Sequence, residues 1–568
     1  MTTYKFYSRP GIKIALSLAC LLAALLILNI KTIHWPFGII DSPIILAQAI
    51  AYSPIEYLTS PHKYQFLTYN NFTPWVTLSW DIDYSFFQVD PLGYRVHHLV
   101  SLAIMVALIY LILYRATGSI LNTSIFCLAI LTLPATFSVV DDIINRHYLE
   151  GMIFCLLSFF CAQTYSRGSS PAWLALSVLS YGLSMTAKEV FIPLPGIIFF
   201  LYPGSFKRRV LLSLPYAVVL FSYLAWRMYM LGGYGGYTGG ITILNVLEQE
   251  GALILITLQL LTTTFSSPVA AIIMLALLGV LLATNFRQIT PSVKLGLLVG
   301  VFGLALPLIA LLPMLAIGFL TPRWLFAPTV ALVMFISYLC SRTPSKTVTG
   351  LTYCVVFACS VGAFHARIQE PVPPYIMGGG EAYQYILESD PDHYLRMPRF
   401  SQMAGQGYSV WTYIAKLRNN AWGTLTVNDV GQLKYHNIEG KSDHRLGRKR
   451  GKLKPVDNTL AADLPLIEHA NYNPDTGALS FQFSDQLTSE SCFVYIFGEH
   501  NGFLFSTPDC NEWSVQYREL AYQVRMIGYE LADASIAVWS AQPNDRLYSQ
   551  PYKIHELIDL DSIPALAR

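Results

Sequence analysis

A carboxylate, Asp41, follows the first hydrophobic span and opens a loop of about 65 residues that carries no second span. More ionisable residues collect at comparable points further along. Asp81 and Asp83 lie in LSWDIDYSFF near the end of that loop, and Asp141, Asp142 and Arg146 lie in VDDIINR. Lys188 and Glu189 follow in SMTAKEVFIPLP, Arg227 in LAWRMYML and Arg323 in FLTPRWLFAP. A positioned carboxylate can take the proton of an attacking hydroxyl. Arg can grip phosphate through two parallel hydrogen bonds, and Lys as a point charge. Charges near membrane depth are costly and face a polar cavity or one another. Together these residues suit an enzyme acting on a lipid-borne substrate at the mouth of a helix bundle.

Each residue also has a plainer reading. Asp141 and Arg146 could form a structural ion pair, Lys188 could snorkel to the interface, and Asp83 could cap a turn. Asp41 could cap the apolar helix that follows Ser42-Pro43, which would not exclude catalysis. The Gly-rich run 232–240 lacks a following Gly-Lys-Ser/Thr, so it reads as a loop and not as a phosphate cradle.

The elements that must position these residues are membrane spans. Of the 568 residues, 54% are hydrophobic and 13% charged, and mean hydropathy is +0.44. Soluble domains carry about 25% charged residues, so most of this chain faces lipid. Apolar stretches recur near 12–30, 96–114, 119–139, 148–165, 171–187, 189–203, 209–230, 267–286, 295–317, 324–341 and 347–365, about eleven in all. Ala252–Leu261 reads as an interfacial helix. The expected fold is therefore an α-helical polytopic membrane protein over 1–367, with a long first outer loop at 31–95. A C-terminal soluble α+β domain over 368–568 completes it. The first span has no small-residue cleavage site after it and is not read as a removable signal.

Charge orients the bundle. With the N-terminus inside, the cytoplasmic ends collect most of the Lys and Arg, including Lys207, Arg208 and Arg209, and the opposite loops hold fewer. This positive-inside bias sends the C-terminal domain outside. These acids, together with Lys188, Arg227 and Arg323, then share the outer face. A net charge of +2 points to no nucleic-acid partner. Seven of nine cysteines lie in apolar spans. Cys492 and Cys510 flank a hairpin pattern in the tail, where an oxidising exterior would permit a disulfide and two thiols are the alternative. No metal spacing is present. The basic run 445–454 reads as a solvated loop that could touch anionic headgroups or glycan.

The order of these elements resembles the polytopic GT-C glycosyltransferases. An Asp at the first loop's start, then YNNFTPWVTLSWDIDYSFFQVDPLGYRVHHLVSLAI, then VDDIINRHYLEG, then SMTAKEVFIPLP are most similar to the bacterial and TMTC-type (O-mannosyltransferase-like) branch, over residues 12 to about 341, where the late Glu-Arg-Tyr-Leu-Tyr of that branch is replaced by Pro322-Arg323-Trp324-Leu325-Phe326. There are departures. Asp41-Ser42 stands where that branch often has Asp-Asp, Phe72-Thr73-Pro74 lacks an arginine, and the tail shows no 34-residue helical repeat. The resemblance implies an integral plasma (bacterial inner) membrane enzyme. It would move a sugar from a polyprenyl-phosphate-linked donor to a glycan, lipid or protein acceptor at the extracytoplasmic face. Asp41 would be the base, and Asp141 and Asp142 would orient the acceptor or hold a divalent ion. Arg323, Arg227, Arg146 and Lys188 would hold the donor phosphate, with Glu189 and Asp83 beside them. No cofactor is certain; a divalent metal is possible. A lipid-linked glycan flippase and a non-catalytic membrane scaffold are the alternatives.

Overall fold

In a computed structural model, the described residues are 10–38, 41–65, 68, 71–202, 204–233, 268–285, 322–369 and separate segments between 394 and 559. The chain divides into two compact units, 1–35 with 70–372 and 36–69 with 373–568. Residues 36–69, from the long loop, group with 373–568.

The first unit is helical. The first span forms α1 (Pro10–Asn29), which runs on into a 3-10 turn, Ile30–His34. The long loop is itself largely helical. In the second unit it forms α2 (Asp41–Ala51), α3 (Pro54–Thr59) and α4 (Pro61–Tyr64). Ser53 and Glu56 form a capping box that starts α3, and Gln48 donates to the Lys63 and Tyr64 carbonyls at 3.1 and 3.0 Å. The loop then returns to the first unit as α5 (Pro74–Phe87).

The next helix, α6 (Pro91–Thr117), has a complete set of end signals. Asp90 accepts from the Leu92 amide, Pro91 fills the first turn, and Gly118 ends the helix at φ 67°. The third apolar stretch is broken. Pro134 cannot donate an N–H and clashes with the preceding turn, so the stretch becomes α7 (Ile120–Leu131) and α8 (Pro134–Asp141), bent by 54°. The 3-10 turn Ile143–Asn145 leads into α9 (Arg146–Ser166). Next come α10 (Ala172–Ala187) and α11 (Leu194–Leu201), separated by an extended Lys188 and a short 3-10 turn. Then follow α12 (Phe206–Leu231), α13 (Pro268–Asn285), α14 (Phe326–Arg342) and α15 (Lys346–Gln369).

Six helices among the described residues are long and apolar enough to cross a membrane, or seven if the bent pair counts as one span. The chain is therefore a helical, polytopic, membrane-embedded protein. Of the eleven expected spans, 171–187, 189–203 and 267–286 form shorter apolar helices. At 1.5 Å per residue, the 16 residues of α10 reach ~24 Å, short of the ~30 Å hydrocarbon core. The stretch 295–317 and Ala252–Leu261 lie outside the described residues.

Polar side chains link helices distant in sequence. Asn122 on α7, fully buried, donates to Ser337 Oγ on α14 at 2.9 Å and accepts from Tyr353 on α15 at 3.0 Å. Asn285 on α13 donates to Thr343 at 2.6 Å.

In the C-terminal region strands predominate among the described residues. β1 (Tyr394–Arg396), β2 (His436–Glu439), β3 (Ser442–Asp443) and β4 (Arg448–Pro455) form one antiparallel sheet around β4. The basic run expected to be a loop is thus mostly strand. β5 (Ile467–Asn473), β6 (Ala478–Phe483) and β9 (Glu512–Gln516) form a second sheet, order β5-β6-β9. β7 (Cys492–Phe497) and β8 (Gly502–Thr507) are the expected hairpin, extended by β10 (Ser535–Ala541), β11 (Arg546–Tyr548) and β12 (Tyr552–Lys553). A short α16 (Ile554–Leu557) follows. Alternate residues of both sheets, among them Leu479, Phe481, Val494, Ile496, Trp513 and Ile536, share one buried core, as the period-2 pattern requires. Cys492 opens β7; Cys510 lies outside the described residues, so the disulfide expectation does too.

Candidate functional site

The site residues of the helical unit fall into three groups. The first is a buried charge cluster among α5, α6 and α9. Arg146, at the start of α9, is 1% exposed and forms an ion pair with Asp83. The same guanidinium donates to Ser79 at 3.2 Å and stacks near the Trp80 and Tyr94 rings. Asp83 also meets His97 Nδ1 at 2.7 Å, and His97 Nε2 lies 3.3 Å from Glu150. Glu150 accepts from Trp75 at 2.7 Å and from Ser79 at 2.9 Å. Asp83 is therefore the counter-ion of Arg146 and not a turn cap. These contacts tie Arg146 on α9 to Asp83 and Ser79 on α5.

The second group forms where helices break. Lys188 has extended backbone (φ −158°, ψ 135°), so α10 stops and its ammonium sits 5.3 Å from the centre of the Tyr148 ring. Gly151 on α9 permits this approach: a Cβ there would overlap the Phe191 ring and come within 3.2 Å of Ala187. Next to Lys188, Glu189 accepts from Arg227 Nε at 2.6 Å and from the Phe72 amide at 3.3 Å. Arg323, in the 3-10 turn Pro322–Leu325 that leads into α14, donates to Asn145 at 3.0 Å. Lys188 and Arg323 thus both reach the start of α9, at Tyr148 and Asn145, and Arg227 is linked to them through Glu189.

The third group surrounds the end of α8. Asp141 accepts from both terminal nitrogens of Arg367, one at 3.1 Å, and the Arg367 guanidinium lies 4.9 Å from the Phe137 ring centre and 5.7 Å from that of Trp35. Arg95 donates to the Asp141 carbonyl at 2.7 Å and the Trp35 carbonyl at 3.2 Å. Asp142 accepts from the Ile144 amide at 3.4 Å and so caps the following turn. Asp141 thus pairs with Arg367, and Arg146 with Asp83, in place of the Asp141–Arg146 pair read from the sequence. Asp41 is the exposed first residue of α2, in the other unit.

Among the described residues no group of three or more His, Cys, Asp or Glu is arranged to hold a metal ion. The carboxylates of Asp141 and Asp142 are engaged as just described. They do not fit a divalent ion.

Glu150, His97, Arg95, Arg367, Asn145 and Tyr148 were not singled out by sequence. A signal existed for some of them. Glu150 follows Arg146 by one helical turn, and a lone acid in an apolar run calls for a partner. Arg367 is separated from Asp141 by 226 residues, and nothing local announces that pairing.

Compared with known proteins, the chain matches no family model and no curated protein.

Proposed function

We propose that this protein is a membrane glycosyltransferase of the GT-C type, moving a sugar from a polyprenyl-phosphate-linked donor to a hydroxyl acceptor. One observation carries the reading: Lys188 over the Tyr148 ring and Arg323 on Asn145 both meet the start of α9, and Arg227 on α12 joins them through Glu189, the neighbour of Lys188. Cations gathered in a bundle with low dielectric are well suited to a lipid phosphate, whose negative charge grows as the glycosidic bond breaks. In this reading Asp41 removes the acceptor proton as its oxygen attacks the anomeric carbon. The new bond is sugar to acceptor oxygen, and the lipid phosphate departs with the electron pair of the bond it loses. The enzyme works in the plasma membrane, with its C-terminal domain on the extracytoplasmic side.

The test is transfer from a labelled polyprenyl-phosphate sugar by protein reconstituted in liposomes, joined to mass spectrometry of cell-envelope glycans with and without the protein. Loss of one glycan class and label transfer are expected. An unchanged glycan profile together with no transfer would overturn the reading.

A second reading has a specific observation behind it. Transporters use broken helices at their sites, and both the 54° bend at Pro134 and the extended Lys188 are breaks of that kind. A flippase would move a lipid-linked sugar across liposomes without acceptor and without breaking the glycosidic bond.

A further inference from the structure

The long loop re-enters the helical unit at Asn70, the unit boundary, and two residues later the backbone is held from both sides. The Phe72 amide donates to Glu189 Oε1 at 3.3 Å, and the Phe72 carbonyl accepts from the Tyr223 hydroxyl at 2.7 Å. The Phe72 ring meets the Trp226 ring edge-on, with centroids 4.6 Å apart. Tyr223, Trp226 and Arg227 are all on α12, so one helix face and one carboxylate fix the point where the loop ends. The same carboxylate oxygen takes Arg227 Nε at the shorter distance of 2.6 Å. Glu189 therefore serves two masters through one atom, a guanidinium and a loop amide.

We propose that Glu189 is a positioning residue that couples anion binding at Arg227 to the hold on the long first loop. The inference rests on Arg227 belonging to an anion site. A guanidinium has five N–H donors, and a phosphate is a strong bidentate competitor for them. When an anion draws Arg227 toward itself, the Glu189 oxygen loses its tighter partner and is released to shorten its longer contact, the one to the Phe72 amide. Donor binding thereby tightens the hold on Phe72, where the long loop ends. Two sites, two states and a contact that differs between them are what coupling requires.

The experiment uses the full-length protein in detergent micelles, with polyprenyl monophosphate as the probe. Trypsin cleavage at Lys63, the only Lys or Arg in 36–69, reports on the loop, and amide hydrogen exchange of the 71–73 segment reports on the anchor. With probe bound, cleavage of the wild type should slow several-fold and the Phe72 amide should exchange more slowly. Glu189→Gln keeps the shape and an acceptor oxygen but has no charge for the guanidinium to contest, so its cleavage rate should not change with probe. Tyr223→Phe, which loosens the carbonyl side alone, should be cut faster while still slowing with probe. Probe binding without any change in wild-type cleavage or exchange would overturn the coupling alone, as would an equal change in Glu189→Gln. Failure of the wild type to bind the probe would overturn the coupling and the donor-site reading together. The exchange measurement needs only the wild type and decides the matter if the Gln variant does not fold.

Discussion

Arg146 is a large cation buried almost completely, and its stability rests on the Asp83 carboxylate. Removing one member of a buried ion pair leaves an uncompensated charge, at a cost of about 3–5 kcal/mol. Asp83→Ala is therefore expected to lower stability by about that amount in a denaturant titration, and a loss under about 1 kcal/mol would contradict the assignment. Arg323 makes a different test. Arg323→Lys keeps the charge but not the planar fork, so donor use should fall, and fall further in Arg323→Ala. Unchanged donor affinity and rate in the Ala variant would mean that Arg323 merely snorkels. Asp41→Asn keeps the shape but cannot accept a proton. Transfer should vanish while the protein stays folded, and wild-type turnover would remove Asp41 as the base. In the loop, the Lys63 ammonium and the Ser53 amide and hydroxyl pull the Glu56 carboxyl from 4.5 down to about 2. Because the folded value is depressed, this cap is intact above pH 4.5 and is lost as pH falls toward 2. Amide exchange at the start of α3 should rise through that window, and in Lys63→Met the rise should be smaller and complete at higher pH.

At the scale of elements, apolar length proved a good guide to where helices are and a poor guide to where they stop. Stretches 96–114 and 347–365 became continuous helices because their end signals, Asp90-Pro91 and Gly118 for the first and Ser345, which accepts from the Val348 amide at 3.3 Å, for the second, sit outside the apolar run. Stretch 119–139 carries Pro134 inside it and bends. Lys188 to Pro193 separates two stretches that hydropathy counts as full spans. The positions of Asp83, Arg146, Lys188, Glu189, Arg227 and Arg323 were legible because charges stand out against apolar sequence. Their partners were not, since pairing depends on which helices pack together and no local pattern encodes that. The break at Lys188 also makes Gly151 important. Gly151→Ala would drive a methyl group into Phe191 and toward Ala187. Overpacking of this kind costs about 1–3 kcal/mol. Thermal unfolding should shift down, and because the displaced turn carries Lys188, donor use should drop as well. A variant with wild-type stability and wild-type turnover would show that the turn has room to move.

For the molecule as a whole, the charge bias of the loops was readable but the number of crossings decides the side on which the chain ends. With eleven crossings the tail is outside, so a reporter active only in the cytoplasm should be silent when fused after Arg568. A strong cytoplasmic signal would mean an even number of crossings.

The Asn122 linkage bears on how the protein is made. Its amide, buried among helices, takes partners 215 and 231 residues later in the chain. At synthesis rates of ~5–20 residues per second, that segment spends roughly 10–45 s in the membrane before Ser337 and Tyr353 have been translated. An unpaired amide in hydrocarbon is costly. For that interval α7 needs a temporary host, such as the polar interior of an insertion machine, and Asn122→Leu should leave the insertion site sooner than the wild type.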